Sequence, residues 1–137
     1  MRKITKYFVG GIIVLVLVFV LLSSFVIDVG INSIFFIKRD FNQAFTYRAT
    51  GDCDSFVNYL SRDTEKWKKT CEEEKSHNAE PIRNFEIQNI SHRFGSDRAF
   101  LQVELTRNTT EGKDYSYSVN YEMRKFGFDW KIDQEMK

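Results

Sequence analysis

No charged side chain interrupts the chain between Phe8 and Ile27, and no acidic residue precedes Asp28. A domain of this size has no room for a core helix that is apolar on every face, which argues against burying this run in a globule. Cysteine occurs twice, at Cys53 and Cys71, and histidine twice, at His77 and His92, with neither Cys-x-x-Cys nor Cys/His spacing, so no zinc motif is present. Glycine-rich phosphate loops and nucleophile elbows are missing too. With 20 basic and 19 acidic residues and a net charge of +1, there is no concentrated basic footprint for nucleic acid. Nothing in the sequence calls for a cofactor or a metal.

The apolar run itself is the strongest signal. At about 1.5 Å per helical residue, residues 8–27 cover roughly the 30 Å of a bilayer's hydrocarbon core. Arg2, Lys3 and Lys6 lie just before it and are expected to stay in the cytoplasm. The expected organisation is a cytoplasmic N-terminus at 1–7, a transmembrane signal anchor at 8–27, a linker at 28–33 and an extracytoplasmic domain at 34–134, in a single-pass protein of the cell membrane. A cleavable secretory signal is the alternative. Such regions span about 7–15 apolar residues and end in small ones; this run is longer and closes as LLSSFVIDVG, where a cut after Ser23 or Ser24 is conceivable. No cysteine follows to accept a lipid.

The exported part carries a balance of −2, because three of the 20 basic residues and none of the 19 acidic ones precede the run. Both cysteines fall in this part. An even count in an oxidising compartment reads as one disulfide, Cys53–Cys71, worth about 3 kcal/mol on the chain-entropy estimate. Two buried free thiols are the alternative.

After a short break at Gly30-Ile31-Asn32-Ser33, Ser33 is placed to cap a helix from Ile34 to about Ala49. Its apolar face reads Ile34, Ile37, Phe41, Ala44 and Phe45, at spacings of three and four. Gly51 supplies the left-handed end of this helix, and Asp52 caps the next. A second helix, Cys53 to Leu60, and a third, about Asp63 to Glu74, would be joined by the disulfide. The polar stretch Lys75 to Glu80, followed by the lone Pro81, turns the chain from helix to strand.

From there the period becomes two. Ala99, Leu101, Val103 and Leu105 alternate with polar neighbours or Phe100, as do Tyr115, Tyr117, Val119, Tyr121 and Met123, then Phe128, Trp130 and Ile132. Between Ile82 and Phe94 the phase slips, with Phe85 and Ile87 on one face and Ile90 and Phe94 on the other, which predicts a bulge near Gln88-Asn89. The expected fold is α+β: an N-terminal transmembrane helix, then a cone-shaped domain of about three helices on a curved antiparallel sheet of about four strands.

The segments GDCDSFVNYLS, PIRNFEIQNISHRF, DRAFLQVELTR and DYSYSVNYEMRKFGFDWKID, in this order after a first helix, resemble the nuclear transport factor 2-like (cystatin-like) superfamily over about residues 34–134. The likeness is closest to its small membrane-anchored or lipoprotein extracytoplasmic members of unknown function. The resemblance implies a cone-shaped pocket, which in catalytic members holds an Asp or His base with Tyr or Asp donors. Here the helix-covered face carries no carboxylate or imidazole, and Tyr115, Tyr117, Tyr121 and Trp130 are its candidate pocket lining. His92 is a weak candidate base, in phase with Ile90 and Phe94. His77 and the run Glu72-Glu73-Glu74 read as solvated.

The reading that follows is a non-enzymatic, membrane-tethered binding or protein-interaction module. It would meet an apolar small ligand in the pocket, or a protein partner or second copy of itself through the mostly polar outer sheet face, where Phe100 is the exception. The alternatives are an isomerase or dehydratase-type enzyme, in which His92 and a tyrosine converge, and a single-pass assembly subunit of a secretion or conjugation system. Asn89-Ile90-Ser91 and Asn108-Thr109-Thr110 match the glycosylation acceptor pattern and are read as unused.

Overall fold

A computed structural model describes the backbone of residues 2–109 and 111–136 and, within them, the side chains of residues 12–22, 33–109 and 111–136. The chain forms two compact units, Met1–Ser33 and Ile34–Lys137. Among the described residues no helix is long and apolar enough to cross a membrane. Of the run Phe8–Ile27, the stretch Ile12–Leu22 has described side chains, each of them exposed, from 49% at Val18 to 73% at Leu15. The other side chains of the run, and Thr110 of the second acceptor pattern, lie outside the described residues.

The first helix, α1, is Arg2–Thr50. The break expected at Gly30–Ser33 is not there: these residues are helical, so Ser33 lies inside α1 and not at its start. Without a proline, a single glycine costs a helix only about 1 kcal/mol. Within the second unit, Ile37, Phe41, Ala44 and Phe45 are fully buried on one face, while Ile34, expected to join them, is 43% exposed. The helix ends as expected at Gly51, with φ +74°, where the Asp52 amide donates to Tyr47 O at 2.9 Å and the Gly51 amide to Arg48 O at 3.1 Å.

Asp52 then caps α2 (Cys53–Val57), its carboxylate accepting from the Ser55 amide at 3.2 Å. This helix is shorter than expected. Leu60 leaves it and forms an isolated parallel bridge with Ile132, so its burial comes from the sheet and not from the helix face. Thr64–Lys75 form α3, and Cys53–Cys71 joins α2 to α3 with 5.7 Å between Cα atoms. The only buried side chains of α3 are Cys71 and Glu74.

Four strands follow, β1 (Ile82–His92), β2 (Arg98–Asn108), β3 (Asp114–Phe126) and β4 (Asp129–Met136), in one antiparallel sheet of order β1-β2-β3-β4. The expected bulge is present, the β1 register shifting between Ile87 and Asn89; a second shift lies between Ile82 and Asn84. Ala99, Leu101, Val103 and Leu105 are buried as the alternation demands, as are Val119, Tyr121 and Met123. The rings of Phe41 and Phe45 lie 5.4 and 5.2 Å from Tyr121, and Phe45 lies 5.5 Å from Phe85, so α1 packs across both β1 and β3. Each such ring buried contributes roughly 1.5–3 kcal/mol. Phe128 departs from the expected face. Gly127 and Phe128 form the β3–β4 turn, which leaves Phe128 88% exposed.

One polar tie fixes helix to sheet. Asp40, 3% exposed on the buried face of α1, accepts from the Trp130 amide at 2.8 Å and from Arg39 Nε at 2.7 Å. Asp40→Ala would leave that amide without an acceptor, and we expect a loss of about 1–3 kcal/mol, read as a lower urea midpoint with an unchanged slope.

Candidate functional site

The buried stripe of α1 does not end at Phe45. One turn later Arg48, 4% exposed, projects from the same face and meets Glu74 of α3, 3% exposed. The pair is bidentate, Arg48 Nε donating to Oε2 at 2.9 Å and Nη2 to Oε1 at 2.7 Å. Three aromatic rings, Phe45, Phe56 and Trp67, surround the Arg48 guanidinium at 5.5, 5.7 and 5.1 Å. From β2, Arg107 Nη1 donates to the same Glu74 Oε1 at 2.8 Å and Nε donates to the Tyr117 hydroxyl at 2.6 Å. Arg107 Nη1 also donates to the Glu80 carbonyl. Burial works to lower the Arg107 pKa, but its bonds to Tyr117 and Glu74 outweigh this and raise it.

Arg48, Arg107, Tyr117 and Trp67 line a cavity of about 510 Å³ together with Arg62, Lys66, Asp63 and Glu135, and Glu74 lies behind the two arginines. Four basic side chains, Arg48, Arg62, Lys66 and Arg107, face three carboxylates, Asp63, Glu135 and the shared Glu74, which leaves an excess of one positive charge. Arg48 Nη1 is buried and has no hydrogen-bond partner among the described residues, and the Tyr121 hydroxyl is in the same condition. Burial pushes the Tyr121 pKa up, keeping the phenol protonated as a donor. A concavity of about 540 Å³ between His77, Pro81 and Asn108 has no buried polar side chain in its wall.

No protein-family model matches the chain, and no curated protein matches it. Solved structures do. A nuclear transport factor 2-like protein from Cytophaga hutchinsonii is 16% identical, with the match covering 70% of this chain and 88% of that one, at a TM-score of 0.50. The domain has the nuclear transport factor 2-like fold. A SEC-C motif containing protein from Rhodopseudomonas palustris (12% identity, 67% of this chain and 70% of that chain, TM-score 0.55) is similar too. So is the intermembrane space region of the chloroplast protein ARC6 (11% identity, 73% and 92%, TM-score 0.53).

Within this fold the residues selected from sequence are dispersed. Tyr117 lines the cavity. Tyr121 is fully buried among Phe41 and Phe45 and is not among the residues that line this cavity. Tyr115, 41% exposed, bonds through its hydroxyl to the Glu80 carboxylate, which raises its pKa. Trp130 is 1% exposed and packs edge-on against His92, with ring centroids 5.3 Å apart, beside a different groove. His92 Nε2 lies 3.1 Å from the Ser96 carbonyl of its own hairpin, and among the described residues no tyrosine hydroxyl bonds to it, as the enzyme alternative would require. The bulge keeps Ile90 and His92 on the covered face that Phe85 shares, opposite Leu101 and Ala99, and at that end of the face His92 meets Trp130. Among the described residues no three His, Cys, Asp or Glu side chains group as a metal site.

Sequence reasoning missed Arg48, Glu74 and Arg107. The one available signal was positional: Arg48 continues the Phe41, Ala44, Phe45 stripe, where a charge is out of place unless it is paired.

Proposed function

We propose that this chain is a membrane-tethered, extracytoplasmic binding module without catalytic activity, whose cone cavity holds a small ligand carrying a negative charge. The observation that carries the ligand class is the buried, unpartnered Nη1 of Arg48 beside a carboxylate already shared with Arg107. A carboxylate or phosphate there would satisfy the open donor and the excess charge together, with Trp67 and Tyr117 flanking its apolar part. Paired arginines suit holding a charge rather than moving a proton near neutral pH.

The tether is supported by the uncharged run Phe8–Ile27 behind three basic residues, and by the exposed apolar side chains Ile12–Leu22. The Cys53–Cys71 bond fits an oxidising compartment. The outer sheet face, where Phe100 is 41% exposed, is the surface we assign to a protein partner or a second copy.

The test is thermal unfolding of the full chain in nanodiscs, titrated with acetate, benzoate and phosphate. A ligand at a hundredfold excess over Kd adds about 2.7 kcal/mol, so a saturable rise in Tm is expected, lost in Arg48→Lys. A Tm unmoved by all three anions would retire the ligand class.

A further inference from the structure

We propose that the end of the domain at which the chain enters it, near Ile34, rests on a bilayer carrying anionic headgroups, with Phe94, Phe126 and Phe128 set into the lipid interface. The inference builds on the tether proposed for residues 8–27. The meander places the β1–β2 and β3–β4 turns at the same end of the sheet, and the Lys125 amide joins them by donating to the Asp97 carbonyl at 2.8 Å. The first turns of α1 within the domain reach that end as well: Asp40 holds the Trp130 amide at 2.8 Å, and Arg39 Nη2 lies 3.8 Å from Asp129.

Three phenylalanines, Phe94 and Phe128 on the turns and Phe126 at the end of β3, have no place in the core. Phe128 is 88% exposed, Phe94 55% and Phe126 45%, and Phe35 on α1 adds 60%. Water is a poor environment for so many large rings at one end, whereas the headgroup boundary accepts them.

The charge is arranged to match. Residues 38–40, 93–98 and 124–131 together hold seven basic and three acidic side chains, while the rest of residues 34–137 holds ten basic and fifteen acidic. An anionic surface therefore attracts this end and repels the remainder, which sets one orientation. Six residues separate Ile27 from Ile34, a reach of at most roughly 25 Å even if fully extended, so a domain on that tether cannot leave the neighbourhood of the bilayer.

The test uses the full chain with Phe128→Trp, reconstituted in vesicles of phosphatidylglycerol and phosphatidylcholine whose acyl chains are brominated near the headgroup. Emission is compared with that of the unsubstituted chain, so that Trp67 and Trp130 are subtracted. A blue-shifted added emission that the bromines quench is expected. It should weaken in pure phosphatidylcholine and when Lys125→Glu and Lys131→Glu are added. Water-like, unquenched emission from a chain that still floats with vesicles after carbonate washing would overturn the docking and leave the tether standing. Release of the chain by carbonate would overturn both. Equal quenching in the two lipids would overturn the requirement for anionic headgroups.

Discussion

Glu74→Ala is expected to destabilise the domain by about 3–5 kcal/mol, measured by urea denaturation. Its carboxylate is 3% exposed and faces two guanidiniums, so its removal leaves Arg48 buried with an uncompensated charge and Arg107 held only by Tyr117 and the Glu80 carbonyl. The cost comes from the stranded charge more than from the lost bonds, which makes a second variant informative. Glu74→Leu combined with Arg48→Met replaces the pair by apolar groups and is expected to recover most of the loss, since the three rings around Arg48 can pack against a methionine. If the double variant were as unstable as Glu74→Ala, the pair would have to contribute through geometry rather than through charge.

Removing the disulfide, by reduction or by Cys53→Ala with Cys71→Ala, is expected to cost about 3 kcal/mol on the loop-closure estimate for 18 residues of separation. The effect concentrates on α3, which is held by Cys71 and Glu74 and buries nothing else fully. These two attachments lie on neighbouring turns of one helix, so their losses are expected not to add. Once either is gone, α3 can detach locally, and the second loss then acts on a helix already partly free. Thermal scans with and without reductant, on the parent and on Glu74→Ala, give the four corners of that cycle.

Much of the fold was legible because strands and helices write their burial at short range. Ala99, Leu101, Val103 and Leu105 announce β2 by alternation alone, and the slip between Ile87 and Ile90 announces the bulge. Gly51, with its positive φ, marks the end of α1. The failures share a different cause. Phe128 has the right phase for the core, but a two-residue turn takes it out of the strand. Leu60 has the right phase for α2 and is claimed by Ile132 instead. The candidate site was hidden for a related reason: Glu74 pairs with Arg48 26 residues earlier and with Arg107 33 residues later, and no local pattern records such a meeting. Within Glu72-Glu73-Glu74 the composition suggests a solvated end, and one of the three is buried.

The groups along the outer side of β4 bear on how copies of this chain could aggregate. The Trp130 amide is taken by Asp40, the Ile132 amide and carbonyl by Tyr59 and Ser61, and the Asp133 carbonyl by Arg62. At the opposite margin, β1 is bent by two register shifts, at Arg83 and at Gln88. A foreign strand seeking a straight row of vacant donors and acceptors finds neither margin suitable, so the sheet is guarded against fibril-like extension by its own loop on one side and by its own curvature on the other.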